Sequence, residues 1–469
     1  MQAIRLSALW RIAFVTLCLG LLLGASSVSA FAQNAPPAYV RNAVDAVVGF
    51  IRGESDDSNA FIANAMAPDQ GRDNAALADR LSRLRAAAPD DVAEIEVRPT
   101  SDGVEVALSG PGGRLRLALT VDEAGLHDVR EAGERAALRL PPPPIEDAQT
   151  ATEMRQALTD WLSALAARDA FSGAVLVARG GAPFVSVAVG IADREGRVLA
   201  SVETPSNIAS IGKKFTQAAL ASLLQTGRIH LGDQLGTFVP DYPNDEARVA
   251  TIAQLVEHRG GVADFFGPEF DRAHKDAFRS NHDYYEFVSH LPQRFTPGER
   301  EEYCNGCYVV LGEIIERVSG EPFETYVRQN VFEPAGMRAT TYRLDEGIAA
   351  ATPYTRVAES RLTDASAMHG VAGSGAGGAF STVSDLMAFD NALREGRLLD
   401  ARWSGWVLGG DDMAGARNVT PLAIAGGAPG VNSVEMSGGE WGVFAIANLD
   451  PPAADDVADS IMSALGGAQ

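Results

Sequence analysis

Residues 207–220 read NIASIGKKFTQAAL, with Ser210 and Lys213 three positions apart at the predicted start of a helix. One helical turn separates the two residues, so their side chains emerge on the same face. A serine hydroxyl is a weak nucleophile until a neighbour accepts its proton, and an amine whose pKa is lowered by burial can do so. The stretch therefore predicts a nucleophilic serine paired with an activating lysine.

Lysine is rare in this chain, so a Ser-x-x-Lys spacing would seldom occur by chance. Of the 39 lysines and arginines, only Lys213, Lys214 and Lys275 are lysines. Arginine does not release its proton in a protein, whereas a desolvated lysine does. A lysine at this spacing indicates a need for an amine. The alternative is an amphipathic helix with a serine cap and a solvated lysine pair.

Length and composition place the chain among globular proteins with more than one domain. Its 469 residues suffice for two or three cores, and 46% of them are hydrophobic. The net charge of −22 repels phosphate backbones and anionic lipid headgroups. This charge therefore argues against nucleic acid as a partner. The expected partner is a small-molecule or peptide substrate.

Residues 1–32 have the pattern of a secretory signal peptide. Arg5 and Arg11 are followed by an apolar run over residues 12–23 and by a cleavage-like Ala-Phe-Ala at residues 30–32. The run is short for a membrane span, and an uncleaved anchor is the alternative. We expect a periplasmic or secreted protein with no membrane span after cleavage.

Two cysteines remain after the signal is removed, Cys304 and Cys307. Their C-x-x-C spacing is compatible with a redox pair, half of a zinc site, a local disulfide or two buried thiols. A zinc site needs two further ligands, and the sequence offers no second cysteine or histidine cluster. We expect neither a metal nor an organic cofactor.

The pattern of hydrophobic residues predicts two folded domains of mixed α and β structure. Helical spacing runs from about residue 38 to 87, and alternation of period two runs from 92 to about 129. This predicts a small α+β accessory domain over residues 33–140. Four prolines then mark a stiff linker at residues 141–148.

The second domain is predicted to span residues 149–469. It begins with a helix over residues 149–167, followed by strands over 172–178 and 184–190. A long, mostly helical middle comes next, and strands return from about residue 430. We expect a single sheet that is built from both ends of this domain.

A second polar motif, Tyr303-x-Asn305, lies just before an apolar helix. Together with Ser210 and Lys213, it makes the chain resemble the serine β-lactamase and penicillin-binding-protein superfamily, in its class C-like branch of β-lactamases, D-Ala-D-Ala carboxypeptidases and esterases. Further blocks carry the resemblance, at residues 171–177, 252–261 and 377–382. The resemblance implies an antiparallel sheet flanked by helices, with a mostly helical subdomain.

The resemblance also implies roles for the motif residues. Ser210 would be the acylated nucleophile, Lys213 its activating partner and Tyr303 a phenolate-like general base. Asn305 would orient substrate or the lysine. A nearby ammonium lowers a tyrosine pKa, which would suit Tyr303 to act as a base. The alternative interpretation of Tyr303 and Asn305 is a packed ring and a helix cap.

The third family motif is degenerate in this chain. The family carries His or Lys, a small residue and Gly on the edge strand of the site, whereas Ile424 and Ala425 precede Gly426 here. The segment between Leu398 and Ile424 is also short for the family. The resemblance assigns the oxyanion to the backbone N–H groups of Ser210 and Gly427, which need no side chain.

These motifs predict an exported serine hydrolase that acts through an acyl-enzyme on an ester or amide. Loss of the cation should weaken the recognition of β-lactams and D-Ala-terminated peptides more than that of small neutral esters. The alternative is a non-catalytic protein of the same fold that holds a cell-wall fragment or peptide. His258 invites a Ser-His-Asp triad, but the family places this histidine in a structural turn and the sequence assigns it no acid partner.

Overall fold

The computed structural model describes most of the chain after residue 36. The described ranges are 37–53, 58–68, 94–100, 103–110, 113–122, 124–131, 142–145, 150–266, 268–344, 349–358, 361–409 and 422–466, with isolated positions between 74 and 92 and residue 148. The predicted signal peptide at residues 1–32 lies outside them. The chain divides into two compact units between Ala136 and Ala137.

The first unit combines helices with an antiparallel meander, as the change of hydrophobic period predicts. Its described elements are α1 (Ala38–Ile51), α2 (Ser58–Ala65), β1 (Glu94–Thr100), β2 (Gly103–Gly110), β3 (Gly113–Asp122) and β4 (Gly125–Glu131). The four strands pair in chain order. Buried positions of α1 such as Val44 and Val47 share a core with Leu117 and Leu119 of β3, so the helical stripe covers one face of the sheet.

The second unit is organised by one five-stranded antiparallel sheet. It contains β5 (Gly173–Arg179), β6 (Ala182–Val189), β13 (Leu422–Ala428), β14 (Val431–Gly438) and β15 (Trp441–Ala447), in the spatial order β13-β14-β15-β5-β6. β15 pairs with β5, so strands from the two ends of the unit meet in the middle of the sheet. The predicted sheet is thus confirmed, and β13 begins eight residues earlier than the sequence indicated.

Helices cover both faces of this sheet. On one face α3 (Ala151–Ala166), which begins at a Thr150–Glu153 capping box, and α14 (Ala453–Ala464) pack against alternate strand residues such as Val175 and Val443. The other face, which includes Leu176 and Phe444, packs on the larger helical core. Both faces are buried, which explains the nearly continuous apolar run of β5.

The remaining described elements build the helical part and its connections. The helices are α4 (Gly212–Gln225), α5 (Leu235–Phe238), α6 (Ile252–Val256), α7 (Pro268–Arg272), α8 (Asn281–Ser289), α9 (Asn305–Ser319), α10 (Phe323–Val327), α11 (Glu333–Ala335), α12 (Val383–Arg394) and α13 (Ala401–Val407). The short strands are β7 (Ile191–Asp193), β8 (Val198–Leu199), β9 (Ser206–Asn207), β10 (Tyr354–Ala358), β11 (Arg361–Asp364) and β12 (Phe380–Ser381).

Helix α4 runs through the centre of the helical core. Phe215 is fully buried and makes edge-to-face contacts with Phe332 and Phe389, with ring centroids 5.1 and 4.9 Å apart. Such packing fixes the helix along its length, so its N-terminal end, where Ser210 lies, is held in a defined position.

Cys304 and Cys307 form a disulfide bond at the start of α9. Of the arrangements that their spacing allows, the structure contains the local disulfide. In the part of the chain that the structure describes, no helix has the length and apolar character needed to span a membrane.

Candidate active site

Ser210 lies in a short 3-10 turn just ahead of α4, and local contacts shape that turn. The preceding residue, Ala209, adopts a left-handed conformation with φ of 45°, and its N–H donates to Asn207 Oδ1 at 2.8 Å. On the other side the N–H of Gly378 donates to Ala209 O, and Gly377 lies so close that a side chain there would overlap that oxygen. The nucleophile is therefore presented by a strained turn that glycines enclose.

Lys213 is buried one helical turn from Ser210, and its amine has three close neighbours. Its Nζ lies 3.1 Å from Ser210 Oγ, 2.7 Å from Asn305 Oδ1 and 2.6 Å from the carbonyl oxygen of Ala376. The predicted Ser-x-x-Lys pair is therefore in hydrogen-bond contact, and the solvated-lysine alternative is wrong for Lys213.

Burial lowers the pKa of Lys213 to about 7, although the nearby charge of Asp264 acts in the opposite direction. A neutral amine has two N–H groups and one lone pair. Asn305 Oδ1 and Ala376 O can only accept hydrogen bonds, so they take the two N–H groups. The lone pair is left pointing at Ser210 Oγ, which is the geometry required to accept the serine proton.

Tyr303 contacts Ser210 through its hydroxyl group, and Lys213 lies beside its ring. Its hydroxyl donates a hydrogen bond to Ser210 Oγ at 2.7 Å, and Lys213 Nζ lies 4.9 Å from its ring centroid. Tyr303 keeps 47% of its surface exposed, but its hydroxyl end is desolvated inside the cleft, which raises its pKa.

The sequence argument on the Tyr303 pKa is therefore wrong in direction. It assumed a neighbouring ammonium, whereas burial also favours the neutral form of Lys213, and an uncharged amine does not stabilise a phenolate. Tyr303 is thus a neutral hydroxyl donor in this structure, and the lone pair available to Ser210 belongs to Lys213.

His258 supports Tyr303 and does not reach Ser210 in any hydrogen bond that the described residues form. Its Nδ1 accepts from the backbone N–H of Cys304 at 3.1 Å, and its ring stacks on Tyr303 with centroids 4.8 Å apart. Burial, with a smaller contribution from Lys213, lowers its pKa to about 4, so it stays neutral. The structure gives it a positioning role.

Asp264 is a site residue that sequence analysis missed. Asn305 Nδ2 donates to its carboxylate at 2.9 and 3.2 Å, and the Asn305 backbone N–H also points to it. This orients the Asn305 amide so that its oxygen faces Lys213. The acid stands three residues after the 252–261 block, but nothing in the sequence pairs it with Asn305, which lies 41 positions away.

Strand β13 passes beside the nucleophile turn at Gly426. A Cβ at this position would lie 2.4 Å from Ile208 O and 2.9 Å from the Ser210 nitrogen. Ser433, opposite Gly426 on β14, donates to Ile208 O at 2.7 Å and ties the strand pair to the turn. Gly427 faces the other way, towards Pro451. Because β13 is an edge strand, part of its backbone is left unpaired by the sheet.

Ile424 lies on the same face of β13 as Gly426, opposite Glu435 of β14. It is half-buried and packs against the helical core. The neighbouring Lys214 does not replace the missing cation, because its Nζ donates to Val407 O at 2.6 Å and burial lowers its pKa to about 8. Ile424 itself therefore offers no charge to a ligand at this position.

One group of described residues has the donor types of a metal site. Ligand atoms of His282, Glu313 and Glu316 lie within 4.8 Å of one another. Glu313 already pairs with His282 at 3.0 Å and with Arg317 at 2.8 Å. Hydrogen bonding to Glu313 raises the pKa of His282, so a metal would have to compete with that proton, and the group belongs to α8 and α9 away from Ser210.

Comparisons with known proteins agree with the fold. The sequence matches the family described as Beta-lactamase over residues 158–447. A "Putative penicillin-binding protein PbpX" of Bacillus subtilis is 26% identical over 242 residues, covering 49% of this chain and 56% of that relative. The chain thus spans about half the length of this relative.

Solved structures show the same architecture. The penicillin-binding protein from Bacillus halodurans has a TM-score of 0.55 and 26% identity, covering 63% of this chain and 95% of that structure. The structure titled "EstCE1, a hydrolase with promiscuous acyltransferase activity" has a TM-score of 0.54 at 19% identity, covering 68% and 99%. The latter likeness concerns the fold alone. The predicted fold class, multidomain with a β-lactamase-like domain, is confirmed.

The Lys213 environment predicts how reaction with Ser210 depends on pH. Only neutral Lys213 can accept the serine proton, so the rate of Ser210 acylation should rise with pH through about 7 and then level off. Since Asp264 raises the Lys213 pKa, the Asp264→Asn variant should move this rise to lower pH. The rate of acylation by an activated ester, measured across pH 5–9 in the wild type and in Asp264→Asn, gives the midpoint of the rise and its shift. The control is Glu440→Gln, which removes an exposed charge paired with Arg179; a midpoint equal in all three proteins would contradict the assignment.

The contact of β13 with the nucleophile turn predicts a steric effect at Gly426. The Gly426→Ala variant must displace either the strand or the Ser210 backbone, and loss of one oxyanion donor costs about a hundredfold or more in rate. We expect a loss of that order in acylation, with the fold retained by circular dichroism. Gly232→Ala is the control, because a Cβ at Gly232 meets no atom within 4 Å. Equal rates in both variants would show that β13 is not part of the site.

Proposed function

Because the chain belongs to the beta-lactamase family, matched over more than half of its residues, we propose that it is an exported serine hydrolase that cleaves an ester or amide through an acyl-enzyme. The observation that carries the proposal is the convergence of the Lys213 amine and the Tyr303 hydroxyl on Ser210 Oγ, at 3.1 and 2.7 Å. The signal-like pattern of residues 1–32 supports export.

Acylation begins with attack on the substrate carbonyl. The Ser210 proton moves to Lys213 Nζ while Oγ forms a bond to the carbonyl carbon, and the π electron pair moves onto the oxygen. The oxyanion is stabilised by the backbone N–H of Ser210 and an N–H of β13 beside Gly426, for which Gly427 is the candidate. Collapse of this intermediate breaks the bond to the leaving group and leaves Ser210 acylated.

The departing oxygen or nitrogen needs a proton, and two groups can provide it. Lys213 holds the proton taken from Ser210, and the Tyr303 hydroxyl lies 2.7 Å from Ser210 Oγ, within reach of a leaving group on the attacked carbonyl. Tyr303 can donate its own proton and receive that of Lys213, because a raised pKa keeps it protonated between turnovers. Water then repeats the sequence on the acyl-enzyme, which releases the acid and restores Ser210.

The uncharged side chain of Ile424 favours a neutral ester as substrate. A substrate carboxylate placed beside Ile424 would lose its hydration without gaining a cation, which is unfavourable. The described residues beside this position supply no replacement, since the Lys214 amine is directed to Val407 O. β-Lactams and D-Ala-terminated peptides, which carry such a carboxylate, should therefore be poorer substrates than uncharged esters.

A fluorophosphonate probe, which reacts with activated serines, tests the proposal. The full-length protein without its signal should be labelled at Ser210, as mapped by peptide mass spectrometry. Ser210→Ala should abolish the label, and Lys213→Ala should slow labelling by about a hundredfold or more because the base is removed. If the wild type and Ser210→Ala are labelled equally, the hydrolase proposal is wrong. A protein that binds a ligand without turnover would then explain the site better.

The absence of a cation at Ile424 predicts that introducing one will increase acylation by a substrate with a carboxylate. Ile424→Lys should raise the rate of acylation by penicillin, relative to a neutral ester, by about tenfold through a charge-assisted hydrogen bond to the carboxylate. Ile424→Met is the uncharged control, and Ile424→His tests a shorter cation. The ratio of the two acylation rates is the measurement. A ratio unchanged in Lys and His variants would mean that Ile424 does not face the bound carboxylate.

A further inference from the structure

Large apolar side chains are exposed around the cleft more than elsewhere on the described surface. Seven described large hydrophobic residues are exposed, and four of them lie on segments that hold site residues. These four are Phe266, Tyr303, Met368 and Val371, with exposures of 50, 47, 44 and 45%. Exposed apolar side chains grouped beside a cleft are typical of a ligand-binding surface.

Met368 and Val371 lie on a segment that connects the end of β13 to Lys213. Next to Met368, His369 Nε2 contacts the carbonyl oxygen of Pro429, which follows β13 directly. Further along, the same segment supplies Ala376 O to the Lys213 amine. The segment therefore borders the cleft from β13 to the catalytic amine.

The segment is also anchored on its outer side by aromatic packing. The N–H of Ala372 donates to Phe278 O, and Tyr284 OH donates to Ala372 O, both at 3.1 Å. Gly370 lies against Tyr284 and has no room for a side chain. These contacts hold the backbone on both sides of Val371, and Met368 lies just before them.

Phe266 lies on a different side of Ser210. It follows Asp264, which orients Asn305, and its own N–H donates to the Asp264 carboxylate at 3.0 Å. Its ring packs on Phe265 and Phe270, with centroids 4.4 and 5.6 Å apart. Phe266 is therefore associated with the Tyr303 and Asn305 side, and Met368 and Val371 with the β13 side.

The proton path decides which part of a substrate meets each side. The leaving group must lie next to Tyr303 and Lys213, which provide its proton, so the acyl group extends away from them along β13. Ile424, within β13, and Pro429, directly after it, lie on opposite sides of Gly427 along the chain. The carboxylate of a D-Ala-terminated peptide belongs to its leaving group, so Ile424 lies on the leaving-group side. The acyl group extends towards Pro429, where it meets the surface of Met368 and Val371. Beside Pro429, burial lowers the pKa of His369, which keeps it neutral.

We infer that the cleft takes uncharged esters with a bulky alkyl or aryl acyl group, and that Met368 and Val371 determine this preference. The inference rests on the proposed function and narrows it to a substrate class. Both residues would act by removing acyl methylenes from water. They contact the substrate without taking part in proton transfer, so their replacement should leave the hydrolysis of the shortest ester nearly unchanged.

The test is the dependence of kcat/KM on acyl length for p-nitrophenyl esters from acetate to hexanoate. Full burial of a methylene is worth about fourfold, and a half-open surface about twofold, so the four methylenes added from acetate to hexanoate should give the wild type a gain of about sixteenfold. The double variant Met368→Ser/Val371→Ser should lose this gain and keep acetate hydrolysis within about twofold. Met368→Leu/Val371→Ile should retain the gain.

Two matched control variants replace exposed apolar residues in other regions of the protein. Phe266→Ser, on the leaving-group side, should leave the acyl-length dependence intact. Leu199→Ser removes a 73% exposed side chain on β8, which pairs with β7 outside the five-stranded sheet. In both variants the ratio of kcat/KM for hexanoate to that for acetate should equal the wild-type ratio, even where the absolute rates differ.

The outcomes separate the two proposals. Hydrolysis of acetate without any gain towards hexanoate, or a gain that survives the double serine variant, overturns the acyl-group inference and leaves the hydrolase proposal intact. Absence of hydrolysis for every ester, together with absence of probe labelling at Ser210, overturns both.

Discussion

The site depends on the removal of one amine from water. Lys213 is enclosed by Asn305, Ala376 and Ser210, and the cost of burying a charge there keeps its pKa near 7. Without that desolvation the amine would stay protonated and Ser210 would have no base. Much of the surrounding structure serves this condition, from the Asp264 carboxylate that aims Asn305 to the packed helix α4 that carries the lysine.

The sheet provides the other half of the site by an independent route. β15 pairs with β5, and β14 then places β13 at the edge, against the turn that carries Ser210. Gly426 allows the close approach because a side chain there would overlap the turn. The Lys213 amine thus comes from the helical part and the approach of β13 to Ser210 from the sheet edge, so the candidate site is complete only when both layers are folded together.

Sequence reasoning predicted which polar residues meet at Ser210 and was wrong about one electrostatic effect. Ser210, Lys213, Tyr303 and Asn305 meet as their motifs predicted, because motif spacing preserves local geometry. The Tyr303 pKa moves in the opposite direction to the expectation, because the sequence shows a neighbouring lysine but not its burial. Asp264 was missed for a related reason, since its contact with Asn305 joins two segments that are distant in the chain.

The sequence by itself determined the helix that carries Ser-x-x-Lys and the change from helical to strand-like spacing in the first unit, which are properties of periodicity and local spacing. The resemblance of its motifs to a family indicated the β-lactamase-like part and the missing cation before Gly426. Only the tertiary structure decided that Lys213 is buried, that its pKa is lowered to about 7 and that Asp264 orients Asn305. Each of these depends on which groups are buried against one another, and segments that are distant in the chain come together only in the folded protein.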